Sequence, residues 1–267
     1  MKTMWKGAIQ FGLVSIPVRM YTATEEKTLH FHQLHDADRG RVRYDRVCEV
    51  CGEQVAFEDI LRGHEYAKGH YVVLSDEDLQ AVPVRSNRAI EIAQFVDRAE
   101  IDPILHQRAY YLAPDEAGRK PYHLLRVVLA QTRKAAVAKI ALHEKEHLAL
   151  IRPLDDLLVL ETMFWPDEIR VAPGEEAARS AIDLRPQEMA MAESFVENLT
   201  EPWDPTAFHD DYRGALQAVI DAKIAGEEVA TAAEPPAGEV IDLMEALRAS
   251  VEAAEARKRE RQAGGNA

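Results

Sequence analysis

Between Met4 and Trp165 the chain is a succession of short runs rich in β-branched and aromatic residues, set apart by turn residues. This rhythm constrains the fold more than any other feature. "AIQFGLVSIPVRMY" (8–21) is broken by Gly12 and Pro17, and Pro17 belongs at a strand start, an edge or a bulge. "RVRYDRV" (41–47) alternates charged with apolar or aromatic residues and predicts a period-2 ribbon with a basic face. "HYVVL" (70–74), "IEIAQFV" (90–96) and "RAYYLAP" (108–114) predict further strands, as do "KAAVAKIAL" (134–142), "LALIRPL" (148–154) and "LLVLETMFW" (157–165). Ser75 with Asp78 forms a capping-box-like helix start after "HYVVL", with acids in the first turn. "KPYHLLRVVLAQT" (120–132) predicts one longer helix, with Pro121 in its first turn and Leu124, Val127 or Val128 and the end of the segment on one face. Many strands around one or two short helices predict an α+β body built on a β-barrel.

The pattern changes after Trp165. "RPQEMAMAESFVENLT" (185–200) sets Met189, Ala192, Phe195, Val196 and Leu199 at helical spacing, and "DPTAFHDDYRGALQAVIDAKIAG" (204–226) does the same with Phe208, Tyr212, Leu216, Val219 and Ile220. Gly226 is a C-terminal cap for the second of these helices. Residues 228–238, "EVATAAEPPAG", are linker-like. The segment that follows carries Val240, Leu243 or Met244, Leu247 and Val251 as a single stripe, and a basic run, Arg257, Lys258, Arg259 and Arg261, suits the end of its helix.

A formal net charge of −14 over 267 residues would argue against nucleic acid if charge were spread evenly, but it is not. Residues 1–154 hold 22 Lys and Arg against 21 Asp and Glu, whereas residues 155–267 hold 10 against 25. The acidity therefore belongs to the C-terminal part. The N-terminal apolar stretch is interrupted by Lys6, Gln10, Pro17 and Arg19, unlike a signal peptide, and no uncharged run suits a membrane helix. Two cysteines spaced C-x-x-C are not a secreted disulfide framework. The expectation is a cytoplasmic protein without a membrane partner.

Three constellations could carry chemistry. "HEKEH" (143–147) matches the H-E-x-x-H pattern of zinc hydrolases, with His143 and His147 as ligands and Glu144 as base, but that chemistry requires a helix. Here the motif stands between two predicted strands, so a charged turn is expected. Cys48 and Cys51 with Gly52 resemble a zinc knuckle, and His32 and His35 precede them as H-x2-H. Together they are a candidate Cys2His2 structural zinc site; the alternatives are a reduced thiol pair or a redox pair. Arg39, Arg41, Arg43 and Arg46, near Arg62 and Lys68 in the sequence, make a basic ribbon with Tyr44 interleaved. Without a helix-turn-helix, finger array or RNP motif, such a ribbon predicts contacts to phosphates rather than to bases. The bland reading is surface solvation. No P-loop, nucleophile elbow or dinucleotide fingerprint is present, so no catalytic residue is expected.

Taken together, "MWKGAIQFGLVSIPVRMYTATEE" (4–26), "FHQLHDADRGRVRYDRVCEVCGE" (31–53), "GHEYAKGHYVVLSDEDL" (63–79), "IDPI" (101–104), "YYLAP" (110–114), "LALIRP" (148–153), "ETMFWPDEIR" (161–170) and "EVIDLMEALRASVE" (239–252) resemble the bacterial Ku family of non-homologous end joining. The resemblance implies a Ku core over 1–227, lacking the large N-terminal domain of the eukaryotic subunits. Within it the barrel spans roughly 1–170, with a bridging ribbon at roughly 25–75, and a helical arm spans roughly 171–227. A linker follows at 228–238, then a C-terminal ligase-interaction segment at 239–267 with a short basic tail in place of a long Lys-rich extension. It implies a non-enzymatic homodimer that closes a ring around double-stranded DNA ends and acts at breaks in the nucleoid. It also implies recruitment of a multidomain ATP-dependent ligase through the stripe at Val240, Leu243, Met244, Leu247 and Val251. The basic ribbon would face phosphates inside the ring. No cofactor is required, and the candidate zinc would be structural.

Overall fold

Alternating inward and outward side chains close the strands on themselves. The computed structural model describes residues 1–82, 88–142, 145–172 and 184–227. The strands are β1 (Trp5–Phe11), β2 (Val14–Thr22), β3 (Arg62–Ala67), β4 (His70–Leu74), β5 (Ala89–Asp97), β6 (His106–Pro114), β7 (Lys134–Leu142), β8 (Lys145–Leu154) and β9 (Leu157–Met163). The α-helices are α1 (Asp76–Ala81), α2 (Arg119–Thr132), α3 (Pro186–Leu199) and α4 (Asp211–Ala225). Seven strands form a closed barrel in the order β1-β2-β6-β9-β8-β7-β5, and β3 pairs only with β4 as a separate ribbon. The α+β architecture expected from the sequence is the one found, and closure leaves the barrel no unpaired sheet edge.

Closure is made by a short parallel pairing of β1 and β5, Ala8 to Gln10 against Ala89 to Glu91. Gly7 stands at this seam. A Cβ there would lie 2.2 Å from the Trp5 ring and 2.3 Å from the Arg88 carbonyl oxygen, so only glycine lets the strands approach. The core inside is built from period-2 positions: Ile9; Ile16, Val18 and Met20; Ile90; Tyr110 and Leu112; Ala136, Ala138 and Ile140; Ala149 and Ile151; Leu158 and Leu160. Each fully buried large side chain contributes about 1.5–3 kcal/mol. The outer face of β7, β8 and β9 is buried as well, where Ala135, Leu150 and Met163 pack with Ile101 and Leu105.

Helix α2 joins this core through Tyr122, Leu125 and Leu129. The inner face therefore differs from the one the spacing suggested, since Leu124 and Val128 are exposed. Tyr122 decides the rotation. Its hydroxyl donates to the Leu112 carbonyl and accepts the Leu158 amide at 2.7 Å, inserting between the ends of β6 and β9. Burial pushes the Tyr122 phenol above its ordinary pKa, partly offset by the Leu158 amide bond.

The chain divides into two compact units, Met1–Val171 and one that begins at Ala172. In the second unit, α3 starts with the Glu188 carboxylate accepting the Arg185 amide at 2.9 Å. Asp210 accepts the Arg213 amide at 2.9 Å at the start of α4, and Gly226, at φ 77°, ends it. Trp203 and Phe208 stack 5.1 Å apart between the helices. No described residue of this unit is buried. The linker and the C-terminal stripe, Val240 to Val251, lie outside the described residues.

Candidate nucleic-acid interface

Residues 24–79, which run from the end of β2 to α1, contain no buried residue. A stretch with no core of its own must be shaped by turns and backbone hydrogen bonds, and two consecutive hairpins do this. In the first, Leu34 pairs with Arg41, the His35 amide donates to the Gly40 carbonyl at 2.8 Å and the Val42 amide to the Gln33 carbonyl at 3.0 Å. Asp38 organises its turn by accepting the Gly40 amide at 2.9 Å and standing 3.0 Å from His35 Nδ1. Arg39 takes the left-handed conformation at φ 59°, a geometry that costs a non-glycine residue about 1 kcal/mol. The Tyr44 hydroxyl donates back to Gln33.

In the second hairpin Val47 pairs with Gln54, the Cys48 amide donates to the Glu53 carbonyl at 2.8 Å, and the Gly52 amide donates to the Cys48 carbonyl at 2.9 Å. Gly52 supplies the positive φ, 72°, that reverses the chain after Cys51. The Cys48 thiol is held below its ordinary pKa by hydrogen bonds from the Cys51 backbone, then the Val50 backbone, then the Cys51 thiol. "RVRYDRV" is thus no continuous strand. Only its ends, Arg41 and Val47, are bridged, because each pairs into a different hairpin. Strands β3 and β4 then form a ribbon exposed along its whole length.

Of the six candidate cations, Arg39 pairs with Asp36 at 3.1 Å and Arg62 with Asp76 at 3.5 Å, both at the surface. Arg46 lies over the Phe57 ring, 5.3 Å from its centroid. Arg41, Arg43 and Lys68 have no ion pair among the described residues. Exposed pairs are worth only about 0–1 kcal/mol, so a phosphate can displace them readily. The candidate zinc ligands fall into two pairs. His32 and His35 belong to the first hairpin and Cys48 and Cys51 to the second, and among the described residues no three His, Cys, Asp or Glu side chains are grouped to hold a metal.

His147 of the H-E-x-x-H pattern sits in β8 opposite Ile140, and the neighbouring Glu146 pairs with Lys139 at 3.0 Å. His143 and Glu144 lie outside the described residues. With Leu142 paired to Lys145, the motif is interrupted by a strand instead of running along a helix, and the hydrolase reading loses the face it needs. Sequence reasoning missed one polar cluster. A cleft of about 790 Å³ against the outer face of β8 and β9 is lined by Arg98, Arg133, His106, Arg152 and Glu161, among others. Glu161 is buried there, with Arg152 Nε 3.0 Å from one carboxylate oxygen and His106 Nδ1 2.8 Å from the other.

Residues 10–191 match the Ku70/Ku80 beta-barrel domain family. The chain belongs to the Ku family. It is 47% identical over 258 residues to the non-homologous end joining protein Ku 2 of Saccharopolyspora erythraea, an alignment covering 95% of this chain and 84% of that protein. The Ku of Desulfitobacterium hafniense is 42% identical, with 97% and 90% covered. The Ku of Frankia casuarinae is 48% identical over 96% of this chain, which spans 65% of that longer relative. Among the described residues no helix is long and apolar enough to cross a membrane.

Proposed function

We propose that this chain forms a homodimeric ring that binds double-stranded DNA ends without sequence specificity and recruits an ATP-dependent ligase in the joining of broken ends. The observation that carries the reading is the excursion at 24–79. It leaves a closed barrel, buries nothing of its own, and presents Arg41, Arg43 and Lys68 without an ion pair among the described residues. Such a ribbon is suited to lie along phosphates, where contact is electrostatic and blind to sequence. The relatives' names, non-homologous end joining protein Ku, supply the DNA ends and the pathway. The role is binding and recruitment, without bond making or breaking by the chain itself.

Dimerisation is favoured by exposed apolar side chains. An isolated two-stranded ribbon is marginal in water, yet β3 and β4 carry Tyr66, Tyr71, Val72 and Val73 in the open. In the second unit Trp203, Phe208, Tyr212 and Ile224 are likewise exposed. A second copy is the partner that both surfaces fit by symmetry. Ligase recruitment falls to the 239–267 segment, whose stripe is Val240, Leu243, Met244, Leu247 and Val251. The test is mass in solution by light scattering, alone and on a short duplex. A dimer of about twice 30.0 kDa is expected in both conditions. A protein that stays monomeric in both overturns the ring.

A further inference from the structure

The cleft against the outer face of β8 and β9 shares no residue with the basic ribbon, and its charges do not cancel. Four cations line it, Arg98, Arg133, Lys134 and Arg152, against two carboxylates, Asp97 and Glu161. Both carboxylates are already engaged. Arg152 Nε stands 3.0 Å from Glu161, and Lys134 Nζ stands 3.5 Å from Asp97, which also accepts the Ala99 amide at 3.1 Å. Arg98 and Arg133 are left over, exposed and without an ion pair among the described residues. The fold joins them directly, because the Arg98 amide donates to the Arg133 carbonyl at 3.3 Å. Arg133 ends α2 in the left-handed conformation at φ 54°, a position that favours glycine, yet a guanidinium is placed there. Two neighbouring guanidiniums are suited to the paired oxygens of a phosphate.

The rest of the lining narrows the ligand further. Ile101, Pro103, Leu129, Leu150 and Pro153 give the cleft apolar walls, which an inorganic anion would leave unused. A purely apolar ligand would leave the two arginines uncompensated. Deeper in, the buried Nδ1 of His106 stands 2.8 Å from the Glu161 carboxylate. That contact leaves Nε2 as the ring's hydrogen-bonding group, and nothing among the described residues bonds to it. An extended peptide fits poorly, since β8 and β9 are paired on both sides in a closed barrel and offer no strand edge. A volume of about 790 Å³ falls within the range of small-molecule sites.

We propose that this cleft binds a free nucleoside 5′-phosphate. The phosphate lies on Arg98 and Arg133, the base packs against Ile101, Pro103, Leu150 and Pro153, and the polar edge of the base meets His106. A nucleotide joins the three features that the lining calls for: an anionic end, a flat ring with largely apolar faces, and hydrogen-bonding groups on the ring edge. The site binds without making or breaking a bond, and it does not depend on the ring reading above.

Isothermal titration calorimetry on the full chain without DNA tests it, with adenosine 5′-monophosphate as the probe. Saturable binding of about one nucleotide per chain is expected, with adenosine and inorganic phosphate each weaker by about tenfold or more. Arg98→Gln/Arg133→Gln should weaken the nucleotide by about a hundredfold, through the loss of two charge-assisted contacts. Both side chains are exposed, so the melting temperature and the affinity for a short duplex should stay unchanged. No saturable heat at millimolar nucleotide overturns the proposal, as does inorganic phosphate that binds as tightly as the nucleotide. A folded double variant that still binds the nucleotide like the parent overturns it too. A 5′-phosphorylated single strand that binds through these arginines while the mononucleotide does not would assign them to DNA and exclude a free-nucleotide site.

Discussion

Replacing Arg41 and Arg43 by glutamine removes two exposed cations that have no ion pair among the described residues, so the substitution leaves the fold and its melting temperature unchanged. In a dimer four positive charges disappear. If each neutralises one phosphate, each contributes about 0.9 to the slope of log K against log salt, and the slope should become shallower by about 3.6. Carried to a salt concentration of about 0.15 M, that loss corresponds to roughly a thousandfold weaker binding, or about 4 kcal/mol. Fluorescence anisotropy of a labelled duplex across a salt series reads both quantities. As a control, Lys139→Gln on the barrel, where Lys139 pairs with Glu146 at 3.0 Å, should leave the slope alone. A folded double variant whose slope falls by less than about 1 would refute the assignment of these arginines to phosphates.

Other perturbations address the barrel and the hairpin. Tyr122→Phe removes the hydroxyl that joins the Leu112 carbonyl to the Leu158 amide and should cost about 1–3 kcal/mol by chemical denaturation; an unchanged midpoint would show the bridge to be dispensable. Arg152→Met leaves the buried Glu161 carboxylate with His106 as its one remaining partner in this cluster and should cost about 3–5 kcal/mol, whereas the double change with Glu161→Met should recover most of the loss; equal losses would contradict the ion-pair account. Cys48 should alkylate at lower pH in the folded chain than in the same chain unfolded in denaturant, because a lowered pKa exposes thiolate at lower pH; an unchanged or higher pH midpoint on folding argues against the backbone donors.

How far the sequence foretold the fold depends on how local the deciding interaction is. The barrel strands were legible because β-branched runs between turn residues are a local property; β2 alternates in burial as a half-exposed strand does, whereas β7, β8 and β9 are buried on both faces and read as continuous apolar runs. The extent of α2 was legible too, but its face was not. Tyr122, Leu124, Leu125, Val127, Val128 and Leu129 offer two overlapping stripes, and the choice is made by a tyrosine hydroxyl reaching β6 and β9. "RVRYDRV" alternates as a strand does but has no continuous partner, since two different hairpins take its ends. The cations were identifiable by residue type alone, and the structure adds that Arg41, Arg43 and Lys68 are the unpaired members among the described residues. Buried Glu161 could not be foreseen, because its partners arrive from β6 and β8 through sheet register.

Threading onto DNA ends distinguishes a ring from any other basic surface. A mobility-shift competition tests it directly, with a short labelled duplex as probe and a plasmid, either closed circular or linearised, as competitor at moderate salt. The account predicts competition that scales with the concentration of ends, with the closed circle ineffective at the same mass of DNA. Equal competition per base pair by circle and linear form would mean ordinary backbone binding and would contradict the ring.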